Sequence, residues 1–240
     1  NDPALLARLL KIVNSPFYGF SAQIETIDHA MGIIGLDQLT EMILATTVID
    51  SFKGIPKELV NIETFWEHSI ACGLATQIIG KYRGEVDLDR FYVAGMLHDI
   101  GSLVIYKKAS AKAKVMMEKC LREGVQLYKV EEEVLGFNHA EVGGALLKAW
   151  KLPQRLIEEV TYHHAPEKAK NFPVETSIVH VADIAVCNMG HGAPGESKEE
   201  PLDKDLLRSV GLSRKSIELL EQDVEERIRD TLDMFILEAK

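Results

Sequence analysis

The chain has 240 residues, a formal net charge of −10 at pH 7, 46% hydrophobic residues and 27% charged ones. A chain of this length buries a real core without staples, and the composition sits at the globular average, which excludes wholesale disorder and fibrous repeats. The acidic balance argues against nucleic acid as a ligand, since phosphate-backbone binding needs clustered Lys and Arg to release counterions.

Cys72, Cys120 and Cys187 are odd in number and far apart, with no C-x-x-C pair. Neither a disulfide framework nor a zinc ribbon is readable, and a reducing cytoplasm fits best. No apolar run reaches the roughly 18–20 residues that span a bilayer, and no basic segment precedes an apolar one at the N-terminus. Neither membrane association nor export is expected. Residue 1 is Asn rather than Met, so a longer parent chain is expected.

Residues 1–60 read as an N-terminal helical lobe. Leu5, Leu6, Leu9, Leu10 and Val13 recur at helical steps after Asp2-Pro3, and Asn14-Ser15-Pro16 ends that helix. Phe17, Tyr18 and Phe20 surround Gly19 as a hydrophobic plug. Further helices are expected from about Thr26 to Ile34 and from Leu36 or Asp37 to about Phe52, with Gly54 and Pro56 marking a boundary. The lobe has one histidine, His29, and no ionisable cluster, which suits packing or docking.

Residues 61–190 carry the chemistry. Thr64-Phe65-Trp66-Glu67 has the form of a capping box, opening a helix to about Tyr82 with His68 in its second turn. Alone, His68 reads as a satisfied core or boundary residue. Asp87 or Asp89 starts the next helix, which Phe91, Ala94, Met96 and Leu97 carry into His98-Asp99. With Gly101 available as a left-handed cap, both side chains can turn inward at a helix end. Between Lys107 and Val134, Lys112, Lys114, Lys119, Arg122 and Glu131-Glu132-Glu133 read as a solvated helix face. Asn138 is an N-cap, so His139 stands in a first turn. Pro153 opens a helix that closes at His163-His164-Ala165-Pro166. From Pro173 to about Met189 the sequence is apolar nearly all round, yet it contains Asp183, for which His180 is a simple hydrogen-bond partner.

Residues 191–240 read as a mobile loop, Gly190 to Pro201, and a C-terminal amphipathic helix from about Ser213. Its stripe is Ile217, Leu220, Val224, Ile228, Leu232 and Phe235. No strand alternation and no repeat is evident, so the fold class is all-α, a bundle of about ten helices.

His68, His98, His139, His163 and His164, with Asp99 and Asp183, share helix ends or core-facing positions. Imidazoles and carboxylates without thiolates suit iron, manganese, zinc or nickel, and seven groups can hold two ions with Asp99 bridging. The competing reading is a buried polar network without metal.

The order His68, His98-Asp99, Asp183 resembles the HD superfamily of metal-dependent phosphohydrolases, and His139 with His163-His164 resembles the two-metal HD-GYP pattern. Leu9–Pro16, Ala94–Gly101, His139–Gly143 and Trp150–Pro153 resemble HDOD domains over roughly residues 2–190. The resemblance implies a multi-helix HD-domain-like bundle and a bacterial, cytoplasmic signalling module acting through signalling proteins. It also implies one or two divalent ions (Fe, Mn or Zn): His68, His98, Asp99 and Asp183 would hold one, and His139, His163 and His164 would complete a second site. The alternative is a phosphohydrolase or phosphodiesterase acting on a nucleotide or another phosphoester, with Asp99 as its catalytic residue. Against it, Ser102 stands where HD-GYP enzymes have Lys, Ala165-Pro166 stands where Glu follows the His pair, and no Gly-Tyr-Pro follows. Thr64 stands where some relatives have a third-metal Glu.

Overall fold

Local capping chemistry sets several helix starts among the described residues. A computed structural model describes residues 24, 26–35, 55–56, 59–193 and 201–236, and among these every regular element is helical. The helices expected over 2–13 and 36–52, the aromatic plug and most of the expected mobile loop lie outside the described residues.

Helix α1 (Ile27–Ile34) begins where the Thr26 hydroxyl accepts the His29 N–H. Helix α2 (Ile62–Tyr82) is capped by Asn61, whose side chain accepts the Glu63 N–H. The expected Thr64–Glu67 capping box is therefore not the start: Asn61 takes that role three residues earlier and leaves Thr64 inside the first turn. Helix α3 (Asp89–Leu97) leads through His98-Asp99 into α4 (Ile100–Lys108). The charged stretch after it folds as a hairpin of α5 (Ser110–Glu123) and α6 (Leu127–Leu135). Helix α7 (His139–Ala149) opens on a full capping box, Asn138 accepting the Glu141 N–H while the Glu141 side chain accepts the Asn138 N–H. Helix α8 (Gln154–Tyr162), a 3₁₀ turn (Pro166–Lys168), α9 (Pro173–Asn188), α10 (Lys204–Ser209) and α11 (Arg214–Ile236) complete the order.

Helix α2 is the axis. Helices α3, α9 and α11 all pack on it, and every residue from His68 to Gly80 is buried. A helix surrounded in this way must be apolar or small on most sides, and the larger polar side chains it does bury, His68 and Gln77, both have partners. Helix α11 contributes Ile217, Leu220, Val224 and Ile228, all buried; Leu232 and Phe235 lie outside the described side chains.

Glycines set the closest approaches. A Cβ on Gly101 would run into the His139 carbonyl and lie 2.6 Å from the Gly143 nitrogen, so α4 and α7 touch backbone to backbone there. This corrects the expectation that Gly101 is a left-handed cap: it lies within α4 and is not among the positive-φ glycines. Gly95 plays the same part between α3 and α2, where a Cβ would lie 2.6 Å from the Cys72 carbonyl carbon. Among the described residues no helix is long and apolar enough to cross a membrane.

Candidate metal centre

Five segments deliver the seven expected residues to one place. His68 comes from α2, His98 and Asp99 from the turn between α3 and α4, His139 from the first position of α7, His163 and His164 from the end of α8, and Asp183 from α9. Six of the seven are at most 5% exposed; His164 is half-buried. They form two groups. His68, His98 and Asp183 converge with Cys72, while Asp99 converges with His139, His163 and His164.

Asp99 stands between the groups. Its Oδ1 lies 3.1 Å from His139 Nε2, 3.7 Å from His163 Nε2 and 3.6 Å from His98 Nε2, and its Oδ2 lies 3.8 Å from His68 Nε2. Asp183 Oδ1 lies 3.4 Å from His68 Nε2 and 3.8 Å from His98 Nε2. It also accepts the Cys187 thiol at 3.6 Å, whereas the expected partner His180 has an Nδ1 that makes no hydrogen bond. Asp183 thus faces His68 of α2 and His98 after α3, with Cys187 of its own helix beside it.

The outward nitrogens decide which way the rings work. His68 Nδ1–H donates to the His191 carbonyl at 2.8 Å, His98 Nδ1–H to the Gly95 carbonyl at 2.6 Å and His163 Nδ1–H to the Val160 carbonyl at 2.8 Å. A carbonyl oxygen only accepts, so in each neutral ring Nε2 is the bare nitrogen. His139 Nδ1–H donates to Glu131 Oε2 at 2.6 Å, and the His139 backbone N–H reaches the same oxygen at 2.8 Å. Four Nε2 lone pairs therefore face inward. The Nε2 atoms of His68 and His98 meet across 3.2 Å, and those of His139 and His164 across 2.9 Å. Asp99 Oδ1 and His163 Nε2 are buried with no hydrogen bond, so the 3.1 Å contact between Asp99 Oδ1 and His139 is an ion-pair approach without hydrogen-bond alignment. Bare donors this close repel unless a cation or a shared proton lies between them.

Charge follows the same logic. Burial works to raise Asp99, but His98 and His139 outweigh it and hold the carboxyl well below the usual range. Burial likewise opposes ionisation of Asp183, and the His68 ring beside it, with the charge of His98, pulls it below that range. Burial, reinforced by His98 and His139, pushes His163 down to about 3; burial and His163 push His164 well below its ordinary value. His68 moves the other way: Cys72 and Asp183 overcome burial and raise it. Ionised carboxylates beside neutral His163 and His164 are ready for a divalent ion, whereas His139, which Glu131 and Asp99 raise against burial, and His68 would each give up a proton on binding. The donor set fits such an ion, with nitrogen and oxygen atoms about 3–4 Å apart, as bonds of about 2.1 Å impose on neighbouring ligands.

Three contributors escaped the sequence reading. Glu131, expected on a solvated face, is fully buried, because Gly136 at φ 82° turns the chain after α6 and sets the start of α7 over it. Tyr128, one helical turn before Glu132, stacks on His164 with ring centroids 4.3 Å apart. His191 lends its carbonyl to His68 while its ring joins Glu67 at 2.8 Å and Glu225 at 3.0 Å, so α11 reaches the cluster through it. Cys72, whose spacing of one helical turn from His68 left its role open in the sequence, is drawn into the first group.

A profile of the HDOD domain matches residues 1–166. The chain belongs to the HDOD family. A relative from Treponema pallidum is 26% identical over 215 residues, which is 86% of this chain but 39% of that protein, so the chain spans well under half of its relative. An HDOD domain protein of unknown function from Geobacter sulfurreducens superimposes with a TM-score of 0.76 at 28% identity, covering 97% of this chain and 82% of that one. A phosphohydrolase-like protein from Shewanella amazonensis SB2B gives 0.70 at 22% identity, with 97% and 82% covered. A signal-transduction-like protein from Marinobacter aquaeolei VT8 gives 0.78 at 18%, with 97% and 52% covered; these last two likenesses establish the HDOD helical fold alone.

Proposed function

We propose that this HDOD chain is a cytoplasmic bacterial regulatory module in which the His/Asp cluster holds one or two divalent ions (iron, manganese or zinc) as a brace, its output passing to protein partners. His68, His98 and Asp183 would hold one ion, His139, His163 and His164 the other, with Asp99 serving both. The observation that carries this reading is the sealing of the cluster, six of whose seven residues are at most 5% exposed. Among the described residues the ion-pair partners of Asp99 and Asp183 are all histidines, so no Lys or Arg waits there for a phosphate. Ser102, where a phosphate-binding cation would stand by the HD-GYP pattern, is itself buried at 2% exposure.

One observation favours a second reading, a metal-dependent phosphohydrolase: two donor groups meeting at Asp99 suit two ions. Bound there, such ions supply Lewis acidity toward a phosphoryl group and a more acidic water. The chain's own part would be to fix the donors, through Glu131 on His139, Tyr128 on His164 and the backbone carbonyls on the other rings. Half-buried His164 marks the more open side.

Turnover separates the readings. Incubation with nucleotides and phosphodiesters in added Mn²⁺ or Fe²⁺ is expected to give no hydrolysis above that of Asp99→Ala. Hydrolysis that Asp99→Ala abolishes overturns the module reading.

A further inference from the structure

Cys72 follows His68 by one turn of α2, so both side chains leave the same face of that helix. Its Sγ lies 3.6 Å from His68 Nε2, and one ligand atom each from Cys72, His68, His98 and Asp183 fall within 4.8 Å of one another. A tetrahedral ion bound at about 2.1 Å to nitrogen and about 2.3 Å to sulfur separates those two donors by about 3.6 Å. The thiol is fully buried, and its backbone cannot drift: α3 presses on it at Gly95, and the Thr76 hydroxyl donates to the Cys72 carbonyl at 2.9 Å. Independently, Asp99 Oδ1, buried and without a hydrogen bond, lies 3.6 Å from His98 Nε2 and adds a lone pair to the same space.

We propose that the Cys72 thiolate is a ligand alongside His68, His98 and Asp183, and that it turns this group toward zinc, ferrous iron or cobalt and away from manganese and magnesium. The proposal rests on the metal reading above. Sulfur is the soft donor here, whereas the second group, Asp99 with His139, His163 and His164, offers only nitrogen and oxygen. The two groups thus differ in the ion they prefer. On binding, the Cys72 S–H bond breaks, the sulfur lone pair forms the bond to the ion and the proton passes to water; nothing is oxidised. Cys187 is the natural control, because it is half-buried and its thiol donates to Asp183 Oδ1 at 3.6 Å from outside the donor group.

The test is a Co²⁺ titration of metal-stripped protein followed by absorbance. Wild type and Cys187→Ala are expected to show a strong near-ultraviolet sulfur-to-cobalt band, and Cys72→Ser and Cys72→Ala to lack it. Zinc affinity should fall roughly 10–100-fold in Cys72→Ser while manganese affinity changes by less than about threefold. That variant should also release one proton fewer per zinc bound. Cobalt binding without the sulfur band in wild type, or a band lost in Cys187→Ala and kept in Cys72→Ala, overturns the Cys72 assignment and leaves the metal reading standing. A wild type that binds no cobalt, zinc or manganese overturns both. The wild-type and Cys187→Ala spectra together decide even if a Cys72 variant misfolds.

Discussion

Glu159 is fully buried, and Arg155 Nη1 donates to both of its carboxylate oxygens at 2.8 Å. Burial still dominates: it raises the carboxyl from an ordinary value of 4.5 to about 7, Glu175 adding to the rise while Arg155 and Arg90 oppose it. The folded chain therefore keeps a proton that the unfolded chain releases above about pH 4.5. Stability attached to that proton is present below pH 4.5, falls as pH rises, and is gone above about 7. At 1.36 kcal/mol per unit the loss is about 3 kcal/mol. Glu159→Gln removes the titration, so the stability difference between variant and wild type should shift by about that amount in the variant's favour from pH 5 to pH 8. Denaturant midpoints at the two pH values measure it, and parallel profiles contradict it. Single residues were unevenly legible in the sequence. His98-Asp99 and His139 announced themselves through helix ends, whereas Glu131 sat in a run of three acids and only the turn at Gly136 buries it. His191 lies in a loop, where periodicity carries no signal.

Between elements, the approach of α4 to α7 fixes how Asp99 meets His139. Gly101 permits it, since any Cβ there meets the His139 carbonyl. Gly101→Ala should cost about 3 kcal/mol, the upper range for overpacking, and lower the melting temperature by roughly 6–12 °C. Gly32→Ala is the control, because a Cβ at Gly32 in α1 meets nothing within 4 Å and a helical alanine is favoured over glycine. Equal melting of wild type and Gly101→Ala contradicts the close-approach account. Helices themselves were readable from three- and four-residue apolar spacing, and Asn138 and Pro173 marked two starts well. Whether Gly101 turns or packs depended on α7, which the local sequence does not contain, whereas the cap of α2 was a local choice between Asn61 and Thr64.

At the scale of the whole molecule, the all-α class followed from the absence of strand alternation, and helix α2 from the apolar residues Ile70, Leu74, Ile78 and Ile79 that continue to about Tyr82. What the sequence could not supply is the pairing of donors. Motif order placed seven residues in one set, but their sorting into two groups around Asp99, with Cys72 drawn into the first, depends on α3 and α9 packing on α2 and on α7 packing against α4 and α8. The central claim is that this sorted cluster holds metal. Elemental analysis of protein purified without added metal, with Asp99→Ala alongside, tests it most directly. One to two equivalents of iron, manganese or zinc per folded wild-type chain are predicted, falling sharply in Asp99→Ala; a wild type that is folded, metal-free and unable to take up any of these ions on reconstitution contradicts the claim.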